Sequence, residues 1–483
     1  MFPDADTAYL ALQNHDARFD GRLFVGVTST GVYCRPVCRV RIPKRENCRF
    51  FGSAAQAEAS AFRPCLKCRP EIAPGLSLMD SSAVLAQAAA RALAHAVHSG
   101  EALALPTLAA RLGVTDRHLR RIFQAAHGVT PRDYISTQRL LLAKQLLTDT
   151  NTPVTQVALA SGFESLRRFN AAFAERYRMS PTRLRREGPG PAPGTPLRLA
   201  WRPPYDLAAV LEFFARRAMP GVEQVDMDGL TLRRTLALPH AGALRAGWLA
   251  CHFVPARHEL HLTTSSSLAP ALGSLLARVR HSFDLDADPA QIDPVLARLP
   301  VAPRPGLRLP GCFDGFELAV RVILGQQVTV QAARTLVRRL VQQFGTPIDT
   351  PFSGLDRLFP DAATIAAADP ETIGRLGIVR QRVRALQALA AEVAAGRLLL
   401  HRDAPLEPTL AALRALPGIG EWTTQLVAMR ALAGPDAFPA TDIGLLNALG
   451  TRDVAAVTQA AEDWRPWRAY AVIRLWHHLE NPA

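Results

Sequence analysis

Two groups of residues in this 483-residue chain have the types and spacing to do chemistry. Near the N-terminus Cys34 and Cys38 form C-x3-C, and after 26 residues Cys65 and Cys68 form C-x2-C. Two short-spaced pairs separated by a loop suit four tetrahedral thiolates around one Zn2+, because each pair reaches the metal from a single turn. Four buried, unligated cysteines are the alternative, and Cys48, which fits neither pair, reads as structural. Near the C-terminus the turn Leu416-Pro417-Gly418-Ile419-Gly420 leads into a helix-period run from Glu421 to Leu432. Gly418 and Gly420 permit positive φ and close approach of another backbone. Such a turn points bare amide N–H groups at whatever meets the helix N-terminus, and a phosphate is the natural occupant. Asp442 follows, after Pro439 and before the mostly apolar run Ile443 to Leu449. In isolation it reads equally as a helix N-cap, a role that does not exclude chemistry.

These residues must be positioned by a chain long enough for about three domains. With 48% hydrophobic and 20% charged residues it can bury ample core. The net charge of +14 points to a polyanionic partner, although a well-solvated basic protein has the same balance. The charge is uneven: residues 81–187 carry 15 Lys/Arg against 7 Asp/Glu, whereas residues 196–483 carry 30 against 27. That middle segment holds two helix–turn–helix patterns. In the first, Gly113 marks the turn and Thr115 or Asp116 caps a helix bearing Arg117, His118, Arg120 and Arg121. In the second, Gly162 marks the turn and Ser165 precedes Arg167 and Arg168. A basic helix face is often merely solvated; two of them behind such turns suit major-groove edges and phosphates. Phe163, Phe169 and Phe173 read as core. The run at 69–79 reads as a linker, and GPGPAPGTP at 188–196 as the clearest boundary, leaving the two halves free to move. Beyond it, strand-like runs such as LTLRRTLAL and WLACHFV give way to helical periodicity from Leu307. Cys251 and Cys312 lack metal-ligand spacing and read as buried thiols. No apolar run reaches membrane-spanning length and the N-terminus lacks a leader pattern, so no membrane partner and a cytoplasmic location are expected, where cysteines stay reduced.

Three resemblances sharpen this reading. FDGRLFVGVTSTGVYCRPVC and SAFRPCLKCRP resemble the N-terminal domain of Ada-type adaptive-response proteins. That resemblance implies that Cys34 both binds zinc and accepts a methyl group from a phosphotriester of the DNA backbone. The paired helix–turn–helix units, with Pro131, Tyr134, Arg139, Ala143 and Leu146 between them, resemble the AraC-type DNA-binding domain, which implies promoter DNA and RNA polymerase as partners. From Leu197 onward LRLAWRPPYD, RPGLRLPGCFDGFELAVRVILGQQV, LPGIGEW, Asp442 and WRPWRAYAVIRLW resemble, in order, the AlkA-type 3-methyladenine glycosylases of the helix–hairpin–helix superfamily. The resemblance implies Asp442 as the essential acid, Trp422 and Trp476 as walls stacking on a flipped, cationic base, and Gln327 at the position of the wedge that replaces it in the duplex.

The expected fold is therefore multidomain: a small α+β zinc domain (1–75), an all-α double helix–turn–helix domain (82–187), a Gly/Pro linker (188–196), an α+β subdomain (197–302) and an all-α helix–hairpin–helix domain (303–483). The expected activity is hydrolytic release of alkylated purines from double-stranded DNA, coupled to methyl acceptance and transcriptional activation. A methyl-sensing regulator with a non-catalytic C-terminal half is the rival, and a repair enzyme whose helix–turn–helix region only adds affinity is a third reading. Where strand-nicking relatives carry a Schiff-base lysine this chain has Trp422, so strand cleavage is not expected. No cysteine follows Cys312, which leaves no iron–sulfur ligand set, and no Pro-Cys-His-Arg motif occurs. Two positions depart from the AlkA pattern: Gln327 replaces the typical wedge leucine, and Leu426 replaces a pocket tyrosine.

Overall fold

The computed structural model describes residues 4–16, 19–20, 23–38, 40–68, 70, 78–99, 103–149, 152–187, 196–240 and 243–480. Most of the 69–79 linker and nearly all of the 188–196 linker lie outside the described residues. The chain forms two compact units, one of residues 1–93 with 103–134 and one of residues 94–102 with 135–483.

The first unit opens with a four-stranded sheet of strands β1 (Phe24–Val27), β2 (Val32–Cys34), β3 (Cys48–Phe51) and β4 (Arg63–Pro64), in the order β3-β1-β2-β4. β1 and β2 form an antiparallel hairpin, and β4 pairs parallel to β2 with Tyr33 opposite Pro64. That last pairing matters most, because each of the two strands runs directly into a cysteine. Cys34 ends β2, and the amide of Cys65 donates to Tyr33 O at 3.0 Å. Phe24, Tyr33, Phe51 and Phe62 supply a small aromatic core beneath. The same unit contains the helices Leu105–Arg111 and Asp116–His127, joined through Gly113 at φ +68°. Thr115, rather than Asp116, is the N-cap, accepting from the His118 amide at 3.2 Å.

In the second unit the helices Val154–Ala160 and Leu166–Tyr177 repeat that scheme, with Ser165 as N-cap. Phe163, Phe169 and Phe173 are buried in a chain of ring contacts, the first tilted and the second edge-on, with centroids 5.2 and 5.5 Å apart, so they are core. A five-stranded antiparallel sheet follows, made of β5 (Leu197–Ala200), β6 (Glu223–Asp226), β7 (Thr231–His240), β8 (Ala243–Val254) and β9 (Glu259–Thr264) in the order β5-β9-β8-β7-β6. Helix Val154–Ala160 packs on the 3-10 turn Ser266–Ala271 that follows β9, and one apolar cluster runs from Phe169 and Phe173 through Leu268 to Phe253 and Phe283. The freedom expected across the 188–196 segment is thus absent for the second helix–turn–helix, which sits on the sheet subdomain.

The remaining chain is helical around a second large cluster that includes Val320, Ile323, Leu386, Leu413, Val427, Val472 and Leu475. A buried ion network joins sheet to helices. Arg234 of β7 donates to Glu223 of β6 at 3.1 Å and to Glu317 of helix Gly315–Leu324 at 2.6 Å. Burial opposes the Arg234 charge, and the two carboxylates outweigh it, raising its pKa. Among the described residues no helix is long and apolar enough to cross a membrane.

Candidate functional site

Asp442 precedes helix Ile443–Ala448 and caps it, Oδ1 accepting from the Leu445 amide at 3.0 Å. The same carboxylate accepts two indole N–H groups. Trp422 Nε1 donates to Oδ2 at 2.8 Å, and Trp476 Nε1 donates to Oδ1 at 2.8 Å. Trp422 lies in the first turn of helix Glu421–Arg430, and Trp476 lies on the C-terminal helix Arg468–Glu480, so three elements meet at one acid. All three side chains line a cavity of about 1090 Å³. Asp442 is 6% exposed and the tryptophans are half-buried. Asp442 is thus a helix cap that also faces a cavity. Leu426 lines the same space.

The glycine turn stands at the cavity edge. Gly418 has φ +75°, which a side chain would strain, and Gly420 caps helix Glu421–Arg430 without any side-chain acceptor. Both glycines are exposed while Ile419 between them is buried, leaving the N-terminal amides open to a phosphate. Gln327 is exposed in the turn between helices Gly315–Leu324 and Val330–Phe344, at φ +54°, and borders the cavity. A non-glycine residue in that region stores roughly 1–3 kcal/mol, and such strain is common at functional loops.

Several residues at this site were not singled out from the sequence. Gln326 Nε2 donates to Gly418 O and to Thr423 Oγ1, both at 2.9 Å, and Gln326 O accepts from Arg382, so the Gln327 turn is strapped to the glycine turn. Gly444 has no Cβ where one would stand 3.0 Å from Asp442 Oδ1 and 3.2 Å from Trp476 Cδ1. The wall opposite comes partly from the sheet subdomain. There the Phe213 ring is approached by the guanidinium groups of Arg217 (4.0 Å) and Arg430 (4.7 Å). Burial pushes Arg430 down to about 9, with Arg321 nearby adding to the effect. The GQQV context hints at Gln326, but nothing in the sequence brings Phe213 to Asp442.

At the N-terminal centre the sulfurs of Cys34, Cys38, Cys65 and Cys68 lie within 4.8 Å of one another. Zn–S bonds of about 2.3 Å in a tetrahedron place sulfurs roughly 3.8 Å apart, so the four donors fit zinc. Their electrostatics agree. Hydrogen bonding to the Cys38 and Cys68 sulfurs, then burial, push the Cys34 thiol far above its ordinary range, while accepting from Cys34 pulls Cys38 down to about 4. Four buried sulfurs cannot all be thiolates without a cation among them. The Arg35 amide donates to Cys68 Sγ at 3.5 Å, and its buried guanidinium is held by Asp20, with Nε to Oδ1 at 2.7 Å. Cys38 and Cys68 are fully buried, whereas Cys34 and Cys65 keep 5% and 8% exposure. Cys48 donates to Lys44 O and is structural, and Cys251 is fully buried.

A protein of Mycobacterium tuberculosis named "Probable bifunctional transcriptional activator/DNA repair enzyme AlkA" is 38% identical over 499 residues, spanning 100% of this chain and 98% of its own length. The chain belongs to this AlkA-type bifunctional family. Models of its parts match in order: the metal binding domain of Ada at 7–71, a helix-turn-helix domain at 108–187, the AlkA N-terminal domain at 196–314, and the HhH-GPD superfamily of base excision DNA repair proteins at 320–459. DNA-3-methyladenine glycosylase 2 of Escherichia coli is 36% identical over 281 residues, covering 58% of this chain and 96% of that protein. The bifunctional transcriptional activator/DNA repair enzyme AdaA of Bacillus subtilis is 30% identical over 182 residues, covering 37% of this chain and 82% of that protein.

The helix-turn-helix match at 108–187 marks a DNA-binding segment. Arg117, Arg120 and Arg121 are exposed and His118 is half-buried on one helix, and Arg167 and Arg168 are exposed on the other. Arg120 pairs with Asp116 at 2.9 Å, Arg121 meets His118 at 3.0 Å, and Arg168 pairs with Glu164 at 2.6 Å. Exposed pairs of this kind are worth about 0–1 kcal/mol, so they hold these side chains only weakly.

Proposed function

We propose that the protein is a monofunctional glycosylase that hydrolyses alkylated purines of the 3-methyladenine type from double-stranded DNA, joined to a methyl-accepting transcriptional activator. The observation that carries the first half is Asp442, sequestered and aimed into a cavity that both tryptophans share. The glycine turn grips a phosphate, Gln327 enters the gap in the duplex, and the extruded base enters the cavity against the indole faces. An alkylated base is cationic, and an aromatic wall favours a desolvated cation by roughly 2 kcal/mol. The C1′–N bond breaks, its electron pair stays with the base and cancels the positive charge there, and the sugar becomes oxocarbenium-like. Asp442 stabilises that charge and orients the water whose oxygen bonds to C1′, its proton leaving to the carboxylate or to solvent. Leu426 in place of a tyrosine shifts the range of bases accepted.

For the second half, zinc supplies the positive charge that keeps four cysteines as thiolates. Cys34 Sγ attacks the methyl carbon of a DNA phosphotriester, the S–C bond forms as the C–O bond breaks, and the phosphate leaves as an anion. Residual exposure leaves Cys34 and Cys65 as the reachable sulfurs and excludes Cys38 and Cys68, and the resemblance to the Ada-type domain selects Cys34 of the two. Methylation changes a dianionic centre to a monoanionic one and so weakens its repulsion of DNA. Arg117, His118, Arg120, Arg121, Arg167 and Arg168 then hold promoter DNA, with RNA polymerase as the partner recruited. Measuring both reactions on Asp442→Asn and Cys34→Ala tests the proposal: each variant is expected to lose one activity and keep the other. Undiminished base release by Asp442→Asn would remove the assigned mechanism.

A further inference from the structure

The two indoles do more at this site than border a cavity. An ionised carboxylate offers about four acceptor positions, and three of these at Asp442 are taken by donors: the Trp422 indole, the Trp476 indole and the Leu445 amide. Each carboxylate oxygen is held by a different tryptophan, so the plane of the group is set and neither oxygen is free to rotate. Indole N–H and backbone N–H are donors only, which matches them to the acceptor-only chemistry of a carboxylate. The remaining acceptor position is on Oδ2, the oxygen that takes only one hydrogen bond. Both tryptophans also line the cavity, so a base entering it meets the side chains that aim the acid.

We infer that Trp422 and Trp476 are positioning residues for Asp442, their N–H groups holding the carboxylate in a single orientation with one Oδ2 lone pair directed at the sugar or its attacking water. This rests on the glycosylase reading and adds a role to it. Trp422 stands in the first turn of the helix opened by Gly420, so the phosphate-binding turn and the aim of the acid belong to one rigid element. The tight space at Gly444 is the third side of the same arrangement, since it lets Trp476 reach Oδ1 past the start of helix Ile443–Ala448.

The test separates the N–H from the ring. In the full-length protein, Trp422 and Trp476 are each replaced by Phe and, separately, by β-(3-benzothienyl)alanine, which keeps the bicyclic ring and exchanges N–H for sulfur. Single-turnover release from a duplex carrying one N7-methylguanine gives the maximal rate and the half-saturating concentration. A lost hydrogen bond to a charged group corresponds to about 10- to 100-fold in rate. Each benzothienyl protein is therefore expected to lose rate by that factor while half-saturation moves less than about twofold, and each Phe variant to lose rate at least as much. A benzothienyl protein with full rate would overturn the inference, as would a loss confined to half-saturation, because both describe plain walls. Asp442→Asn measured alongside keeps the two ideas apart. If it still releases base, the glycosylase reading itself falls; if it is inactive while the benzothienyl proteins are fully active, only the positioning role falls.

Discussion

At the scale of single residues, the acid site depends on tenths of an ångström. Because an added Cβ at 444 would crowd both Asp442 Oδ1 and Trp476, Gly444→Ala is expected to lower base release by about 10-fold with the fold intact, as small misplacements of reacting groups do. Single-turnover rates beside circular dichroism melts check this. Two buried titratable groups behind the site oppose one another in pH. Burial raises Asp284 from 3.8 to about 6, despite hydrogen bonds from Leu309 N and Tyr470 Oη. The native state thus binds this proton more tightly than the unfolded chain, so the contribution is present below pH 3.8 and lost as pH rises through 6. Burial lowers His281 from 6.5 to about 4, its Nε2 donating to Arg430 O, so its contribution is present above pH 6.5 and lost as pH falls towards 4. The two nearly cancel in the wild type. Denaturant unfolding of Asp284→Asn between pH 4 and pH 6 is expected to expose a stability difference from wild type that shifts in the variant's favour by about 2 kcal/mol across that window. A flat difference would show that Asp284 does not titrate there.

At the scale of elements, the turn at Gln326–Gln327 and the glycine turn behave as one piece. Gln326→Ala removes both bonds to the hairpin while leaving Gln327 in place. Release of a paired lesion is expected to fall about 10-fold, and release of the same lesion in a bulge, where extrusion costs less, to fall much less. Equal losses on the two substrates would show that the strap does not act through base extrusion. The Arg234 network does the corresponding work between sheet and helices. Arg234→Met strands Glu223 and Glu317 without their partner in the interior and is expected to cost about 3–5 kcal/mol in denaturant unfolding, whereas an exposed pair such as Arg168–Glu164 costs under about 1 kcal/mol to break.

At the scale of the whole molecule, the two proposed chemistries are expected to separate. The zinc domain has only a few aromatic residues in its core and four converging cysteines, the composition of a small domain that needs a metal staple. Chelation is expected to melt the β1–β4 sheet and abolish methyl acceptance while base release by the same sample changes less than about twofold. Parallel assays on chelated and zinc-restored protein decide it. The second helix–turn–helix is built onto the sheet subdomain of the glycosylase half through one apolar cluster, so regulator and enzyme divide at a different place from the Gly/Pro-rich stretch.

Local chemistry is what the sequence determined by itself. The C-x3-C and C-x2-C spacings, the glycine turn and the paired helix–turn–helix turns follow from bonds and steric limits that act within a few residues, whereas Asp442 was singled out by the family resemblance. Most strands of the larger sheet were legible too, because alternating burial is a short-range pattern; β6, with no apolar alternation, was not. Tertiary structure alone decided which distant groups share a space. Asp442 with two indoles from separate helices, Gln326 against Gly418, Phe213 against Arg430 and β4 beside β2 are products of packing between elements far apart in the chain. The same is true of the apolar contact that overrode a flexible-looking linker. A linker's composition governs only its own stiffness, while the docking of what it joins is set by the surfaces that bury against each other.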